Sequence, residues 1–512
     1  MNDFLKRHSE AIEGVLSGFD RLIFRGVLRS INYARGLDRF LTAKGILLKQ
    51  FAGFAEDCTR KIADRAKEIA SDAQRPYIYL ESSGVDKDKM ARDMAEREGI
   101  REGLICVLAV IEPCVTAQVV SNKLTGHREV GYRLRKCRFF YFYLLDREFG
   151  LMHVRLQSWV PFDLQVYING RSYLARQLER EGIPFVRRAN ALMRVGDYGR
   201  AQQLLDQLLR RNWPKTLNVL ARRVNPILNR LGLVGDFGYY WMTQESEVAT
   251  DIVFKDPEAL HRIYPALIDH ALRHFHSRDV LRFLTGRDAQ RLPNQITTSY
   301  RKREEGVRIK HAVNENSLKM YDKEGCILRI ETTINNPRRF QVLRRKGGAL
   351  AWQHMSKGVR DLGRRVEISL AANARYLEAL SVVGETTPSQ RILDAVSQPV
   401  RKDGYRYRAL RPVSPEDSSL FGAVLHGEHL LNGLTNRDVQ ACLFEAPARH
   451  PHEARRRASY VSRKIRLLRA HGLVRKVARR NIYRLTQRGH QVMSTAHRFR
   501  QSDVALLQNE AI

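Results

Sequence analysis

Acidic residues are the scarce class in this sequence. Against 88 lysines and arginines stand 55 aspartates and glutamates, leaving a formal charge of +33 on 512 residues. A surface charged to that degree repels itself unless a polyanion offsets it. Nucleic acid is therefore the leading partner expected, ahead of an anionic membrane surface. Cysteine is scarce as well. The six are Cys58, Cys106, Cys114, Cys137, Cys326 and Cys442, with no CxxC pair. That spacing argues against a disulfide scaffold or a zinc ribbon and predicts buried, reduced thiols. Long apolar runs are missing. The longest, Gly103–Ile111 (GLICVLAVI), is closed by Glu112 and Pro113, far short of the ~20 residues that span a bilayer. Lys6, Arg7, Glu10 and Glu13 break up the first residues, so no secretory apolar segment is expected there. A soluble, cytoplasmic chain with no membrane partner is the expectation. No GxxxxGK[ST] or strand-linked GxGxxG occurs, no HExxH, and no obvious repeat of 20–50 residues, which sets aside phosphate-loop, zincin and solenoid classes.

What is present is an ordinary globular composition, 43% hydrophobic, on a chain long enough for several domains. Phe19–Leu28, Pro76–Leu80 and Gly103–Ile111 have strand character. Leu37–Phe51, Glu56–Ser71 and Lys87–Glu98 have helical spacing. Strands alternating with helices suggest an α/β unit. The stretches Lys136–Leu145, Leu151–Ser158 and Leu164–Ile168 are aromatic and β-branched, as strands are. Asn169-Gly170 is a turn signal, followed by a helix over Arg171–Glu181 closed by Gly182. Helical spacing resumes over Tyr198–Leu231 and Pro257–Leu284. Four strands over Gly306–Arg344 are separated by Asn- and Gly-containing turns, which reads as an antiparallel meander. The expected fold class is mixed α/β, or α+β, and multidomain. The expected segments are an N-terminal α/β domain (1–125), a β-rich block followed by helices (126–300), an antiparallel meander plus helix (301–385), a connector (386–412) and a C-terminal unit of helices with a hairpin before the last one (413–512).

The last segment is the most legible. Pro415–His426 reads as a helix, Leu430-Leu431 as a short apolar step, and Thr435 as the N-cap of a second helix. Glu453–Ala470 reads as a long third helix whose Val461, Ile465 and Leu468 make one apolar stripe. Its remaining surface carries Arg455, Arg456, Ser459, Arg463, Lys464 and Arg466. Gly472 ends it, and a hairpin bearing Arg479 and Arg480 follows, then a closing helix. This order, and the stretch Val461–Gln487 in particular, resembles the recognition helix and wing of MarR-like winged helix-turn-helix proteins. The resemblance implies that the basic helix face enters the major groove of duplex DNA while Arg479 and Arg480 reach the backbone or minor groove. Residues 413–512 carry 17 basic and 8 acidic residues, so only +9 of the +33 belongs to this unit.

The rest of the charge recurs as basic clusters: Arg133, Arg135, Lys136 and Arg138 interleaved with Phe139, Tyr141 and Tyr143, then Arg187-Arg188, Arg210-Arg211, Arg222-Arg223, Arg301-Lys302-Arg303 and Arg344-Arg345-Lys346. Arginine for phosphate beside aromatic faces for bases suits single strands and RNA. Two acidic constellations stand out. Glu247 and Asp251 follow Tyr239-Tyr240-Trp241. On a helix, four residues apart, they would share a face and could hold Mg²⁺ together with a third carboxylate, Asp20 or Glu331. The second lies in Lys319–Lys323 (KMYDK) and Leu328–Glu331 (LRIE), a segment similar to strands of phage and plasmid replication initiators. That similarity implies a Tyr321 nucleophile with Glu331 as a metal ligand and His311 one strand earlier. The His-hydrophobe-His expected with it, His274-Phe275-His276, lies in a helical stretch. His261, His270, His274 and His276 could alternatively bind zinc.

Nearly the whole chain resembles a family of uncharacterised bacterial proteins often labelled MarR-like. The resemblance is carried by Gly18–Gly26 (GFDRLIFRG), Pro161–Gly170 (PFDLQVYING), Ser246–Asp251 (SEVATD), Lys319–Pro337 and the C-terminal unit. It implies a bacterial source and a gene carried in several copies, as mobile elements are; a nucleoid-associated protein or ribonucleoprotein component is the expectation. The function expected is a nucleic-acid binder for duplex DNA and further DNA or structured RNA, with homodimerisation open. The alternative is a metal-dependent nuclease, nickase or replication initiator using Mg²⁺.

Overall fold

The computed structural model describes residues 3–121, 126–230, 238–286, 296–303, 306–346, 349–381, 383, 389–425, 429, 433–444, 446–478 and 480–501. Leu430, Leu431, Gly347, Gly348 and Arg479 lie outside the described residues.

The strands are β1 (Ile12–Val27), β2 (Tyr77–Leu80), β3 (Gly103–Ser121), β4 (Arg128–Asp146), β5 (Gly150–Gln157), β6 (Leu164–Asn169), β7 (Phe185–Arg188), β8 (Ala191–Val195), β9 (Tyr240–Phe254), β10 (Ile296–Arg303), β11 (Gly306–Val313), β12 (Asn316–Lys323) and β13 (Ile327–Thr333). All except β7 and β8 join one 11-stranded sheet, in the order β10-β11-β12-β13-β9-β1-β6-β5-β4-β3-β2. Only β2–β3 is parallel. The sheet runs through all three segments that the sequence suggests as separate domains up to residue 385. Their boundaries at 125 and 300 are thus joints within one sheet.

The sheet has a repeated plan. β1 leaves through helices and returns as a meander whose last strand, β6, pairs with β1. β9 does the same, and β13 pairs with β9. The two leading strands pair antiparallel with each other at the centre, from Ile12↔Phe254 to Val27↔Tyr240. No sequence repeat announces this, because the two halves share strand order and not side chains.

One face of the sheet is apolar and covered by helices. Phe19, Leu22, Phe24, Phe140, Phe142, Val154 and Val166 pack on the helices Ala34–Ala43, Phe51–Asp72 and Trp213–Val224. Ile309, Met320, Leu328 and Ile330 pack on Pro257–Arg273, Ser277–Thr285 and Leu362–Leu380. The alternation of period two produces this: every second residue of each strand turns to the opposite face. That face is polar at its centre and apolar where the helices Lys87–Arg97, Gly170–Glu181 and Tyr198–Leu209 with the β7–β8 hairpin cover it, packing on Ile105, Leu108, Val110, Phe139 and Leu16.

The C-terminal unit has its own core, built on Leu420, Phe421, Val439, Val461, Ile465, Leu468, Leu473 and Met493. It comprises the helices Pro415–Leu425, Asn436–Leu443 and Pro451–Ala470, a hairpin of Val474–Lys476 with Tyr483–Leu485, and the helix Gln487–Gln501. Thr435 caps the second helix, its hydroxyl accepting from the Asp438 amide. Leu434 bridges to Tyr483, tying the hairpin to the loop before that helix. Val396 and Leu410 are buried in this core, and a helix (Ser389–Asp394) and a hairpin (Val400–Lys402 with Tyr405–Tyr407) precede it. The unit therefore begins within the segment expected to be a connector.

Candidate functional site

The polar face of the sheet centres on three buried carboxylates. A β-bulge between Phe19 and Arg21 inserts Asp20 into β1. Bulges re-aim side chains, and here both Asp20 and Arg21 reach partners on the same face. Asp20 lies on β1, Glu247 on β9 and Glu331 on β13, with oxygens all within 4.8 Å of one another. Their exposures are 7%, 6% and 2%.

Buried carboxylates demand compensation, and cations supply it. The Lys319 ammonium lies 2.8 Å from Glu247 and 2.5 Å from Glu331. Arg21 lies 3.0 Å from Glu247 and 2.5 Å from Glu245. Arg329, fully buried, donates to Asp20 at 3.0 Å and to Asp251 at 2.5 and 2.7 Å. Arg171 lies 2.9 Å from Asp251. Tyr321 donates to the second oxygen of Glu331 at 3.0 Å. Burial alone would lower Lys319 and Arg21, but Glu331 and Glu247 outweigh it for the lysine, and Glu247 and Glu245 for the arginine, holding both protonated. Burial would raise Asp251, but Arg171 and Arg329 outweigh it and keep the carboxyl below its usual range. Tyr321 is driven well above the ordinary phenol range by burial and by the charge of Glu331. It rests as a neutral phenol with a proton acceptor in place.

Local sequence explains the placement of Arg171. Asn169 caps the helix Gly170–Glu181, accepting from the Ser172 amide. A Cβ on Gly170 would lie 1.9 Å from the Phe19 carbonyl oxygen, so glycine alone lets this helix start against β1 beside Asp20. Asn169-Gly170 thus opens the helix directly from β6.

Glu247 and Asp251 lie on a central strand, not a helix, because β9 is sandwiched between β1 and β13. Asp251 is not in the carboxylate cluster; two arginines saturate it, and Asp20 stands in its place. Tyr321 and Glu331 do come together on neighbouring strands, but His311 turns to the helix-covered face, where it meets Thr298 at 2.9 Å and Tyr376 at 3.0 Å. Burial pushes that histidine down to about 4. Arg329, Glu331 and Lys323 are buried. His261, His270, His274 and His276 do not converge as a metal-binding group among the described residues. Arg171 and Asn190, whose amide donates to Asp20 at 2.7 Å, were not foreseen. The scarcity of acids, which makes each buried one conspicuous, is the signal that points toward them.

A divalent cation fits the donor set, since hard cations take carboxylate oxygens, but it would have to take the position held by the Lys319 ammonium.

On the C-terminal helix Pro451–Ala470, Arg455, Arg456, Ser459, Arg463 and Arg466 are exposed, as is Arg480 in the hairpin region. Lys464 is the exception. It is 8% exposed and lies 2.6 Å from Glu416 and 3.5 Å from Asp417, so it belongs to the inner face with Val461, Ile465 and Leu468.

No protein-family model, curated protein or solved structure matches the chain. Among the described residues, no helix is long and apolar enough to cross a membrane.

Proposed function

We propose that the protein binds nucleic acid, gripping duplex DNA through a C-terminal winged helix-turn-helix and further DNA or structured RNA through its basic body, as a bacterial nucleoid-associated or mobile-element component. The observation that supports this most is the long helix Pro451–Ala470. It seats an apolar stripe on its own core and leaves Arg455, Arg456, Ser459, Arg463 and Arg466 exposed, beside a hairpin carrying further basic residues. Helix width suits the major groove, and arginine suits phosphate and guanine edges. The resemblance of Val461–Gln487 to MarR-like recognition helices points the same way. Fluorescence anisotropy with duplex DNA tests the reading. Arg455→Ala with Arg466→Ala should weaken binding about tenfold and lower the salt slope by about one per lost phosphate contact. An unchanged slope overturns the winged-helix assignment.

The carboxylate cluster favours a second reading, metal-dependent DNA processing. A divalent cation held by Asp20, Glu247 and Glu331 would stabilise charge on a phosphodiester. The Tyr321 oxygen would attack phosphorus while Glu331 takes its proton, the phosphorus–sugar oxygen bond would break, and a solvent proton would complete the sugar hydroxyl, leaving a phosphotyrosine bond. Incubation with Mn²⁺ and single-stranded, duplex or supercoiled DNA decides it. Cleavage abolished by Glu247→Gln and by Tyr321→Phe supports the enzyme, and no cleavage of any substrate sinks it.

A further inference from the structure

The β3–β4 ribbon outruns its neighbours in the sheet. β2 pairs with β3 only over Val107–Val110, and β5 pairs with β4 only from Phe139 onward. Beyond those points the ribbon continues to Ser121↔Arg128 and curls against the chain that follows β5. Ser158 donates its amide to the Arg138 carbonyl at 3.1 Å, and Ala117 donates to Val160 at 3.0 Å. The Trp159 indole donates to the Ala117 carbonyl at 2.9 Å. The Thr59 hydroxyl donates to the Ser158 carbonyl at 2.8 Å, bringing in the helix Phe51–Asp72.

These contacts fence a cavity of about 410 Å³, within the roughly 300–1,000 Å³ typical of small-ligand sites. Arg135, Lys136, Arg138, Thr59, Ser158 and Trp159 line it, and no carboxylate does. Among the described residues none of the three cations makes an ion pair; Arg135 donates only to the neutral Gln118, at 3.1 Å. This is the reverse of the sheet centre, where every arginine faces an acid. Three like charges around a concavity repel one another unless an anion enters. A cavity of this size excludes a duplex but admits one nucleotide, and an indole offers a stacking surface for a base.

We propose that this pocket binds the phosphate of a nucleotide with its base against Trp159, either one nucleotide of a single strand or a free nucleotide. The strand form rests on the nucleic-acid reading above and gives the basic body a defined site. The free-nucleotide form stands without it.

The test uses the full chain, with labelled dT12 and a labelled duplex in parallel. Lys136 and Arg138 are exposed, so Lys136→Ala with Arg138→Ala should leave the melting temperature unchanged. The double variant should lose about tenfold in dT12 affinity while duplex affinity stays within about twofold. A dT12 loss below about twofold, or equal losses for both ligands, overturns the pocket. Competition then assigns the source. Displacement of dT12 by ATP from the unaltered protein identifies a free-nucleotide site, and resistance to millimolar ATP identifies a strand site. If the unaltered protein binds neither DNA, the nucleic-acid reading fails on its own. Calorimetric titration with ATP and pyrophosphate then judges the pocket: binding that disappears in the double variant supports it, and no binding rejects it.

Discussion

The centre of the sheet and the outer face of the helix Pro451–Ala470 use the same side chains to opposite ends. At the centre, Arg329, Arg171, Arg21 and Lys319 are matched by Asp20, Asp251, Glu245, Glu247 and Glu331. On the helix, Arg455, Arg456, Arg463 and Arg466 stand exposed. Acids thus meet the cations where burial makes an unpaired charge most expensive, while on the helix these arginines face outward. The net charge of the chain is a property of its edges. The interior of the sheet is close to balanced, and it is the edges that a polyanion would meet.

Substituting arginine in the two places tests that contrast most severely. Arg329→Met leaves Asp20 and Asp251 buried without their main partner and should cost roughly 3–5 kcal/mol of folding stability in denaturant titration. A loss below about 1 kcal/mol would mean that the central pairs contribute little to holding the fold. Next comes His311, behind the network on the helix-covered face, where Phe275, Thr298 and Tyr376 surround it. Its folded value is depressed to about 4 from 6.5, so the unfolded chain binds the extra proton between those values. Stability from this group is complete above pH 6.5 and is lost as pH falls toward 4, by about 3 kcal/mol in all. His311→Gln should flatten that part of the stability–pH curve, and an unaltered slope would place the acid sensitivity elsewhere. Smallest of all, Arg455→Ala with Arg466→Ala should shift stability by no more than about 0.5 kcal/mol while changing duplex binding. A large destabilisation there would erase the distinction between an inner and an outer set of arginines.

The sequence made different parts of the molecule legible to different degrees. The C-terminal unit could be followed almost element by element, because its signals are local: a capping Thr435, an apolar stripe at helical spacing, and Gly472 at the end of the helix. Lys464 escaped because a stripe five residues wide takes in one position that an apolar count leaves out; Glu416 and Asp417, distant in sequence, make it tolerable there. Three strands of the meander were visible from their turns; the fourth expected strand, Gln341–Lys346, instead forms a separate hairpin with Ala349–His354. The single sheet was not visible, since the β1–β9 pairing joins residues more than two hundred positions apart and nothing in either strand names its partner. The same distance hid the site. Glu247, Glu331 and Tyr321 stood out as residues, and Asp20 was among the third ligands considered. Assigning Asp251 to the metal required a helix, and only the strand pairing shows that Arg329 and Arg171 claim it.

The position of β1 bears on how the chain is made. Residues 12–27 emerge from the ribosome long before their partners, since their strand is completed on one side by residues 164–169 and on the other by residues 240–254. Until Phe254 is synthesised, the nascent protein carries a long strand with one edge unpaired, the kind of surface that recruits other chains. A product that stops between Asn169 and Tyr240 would keep that edge permanently. Translation through β9 is therefore the step at which the young protein stops being a hazard to its neighbours, and premature termination before it should give insoluble fragments rather than a smaller working protein.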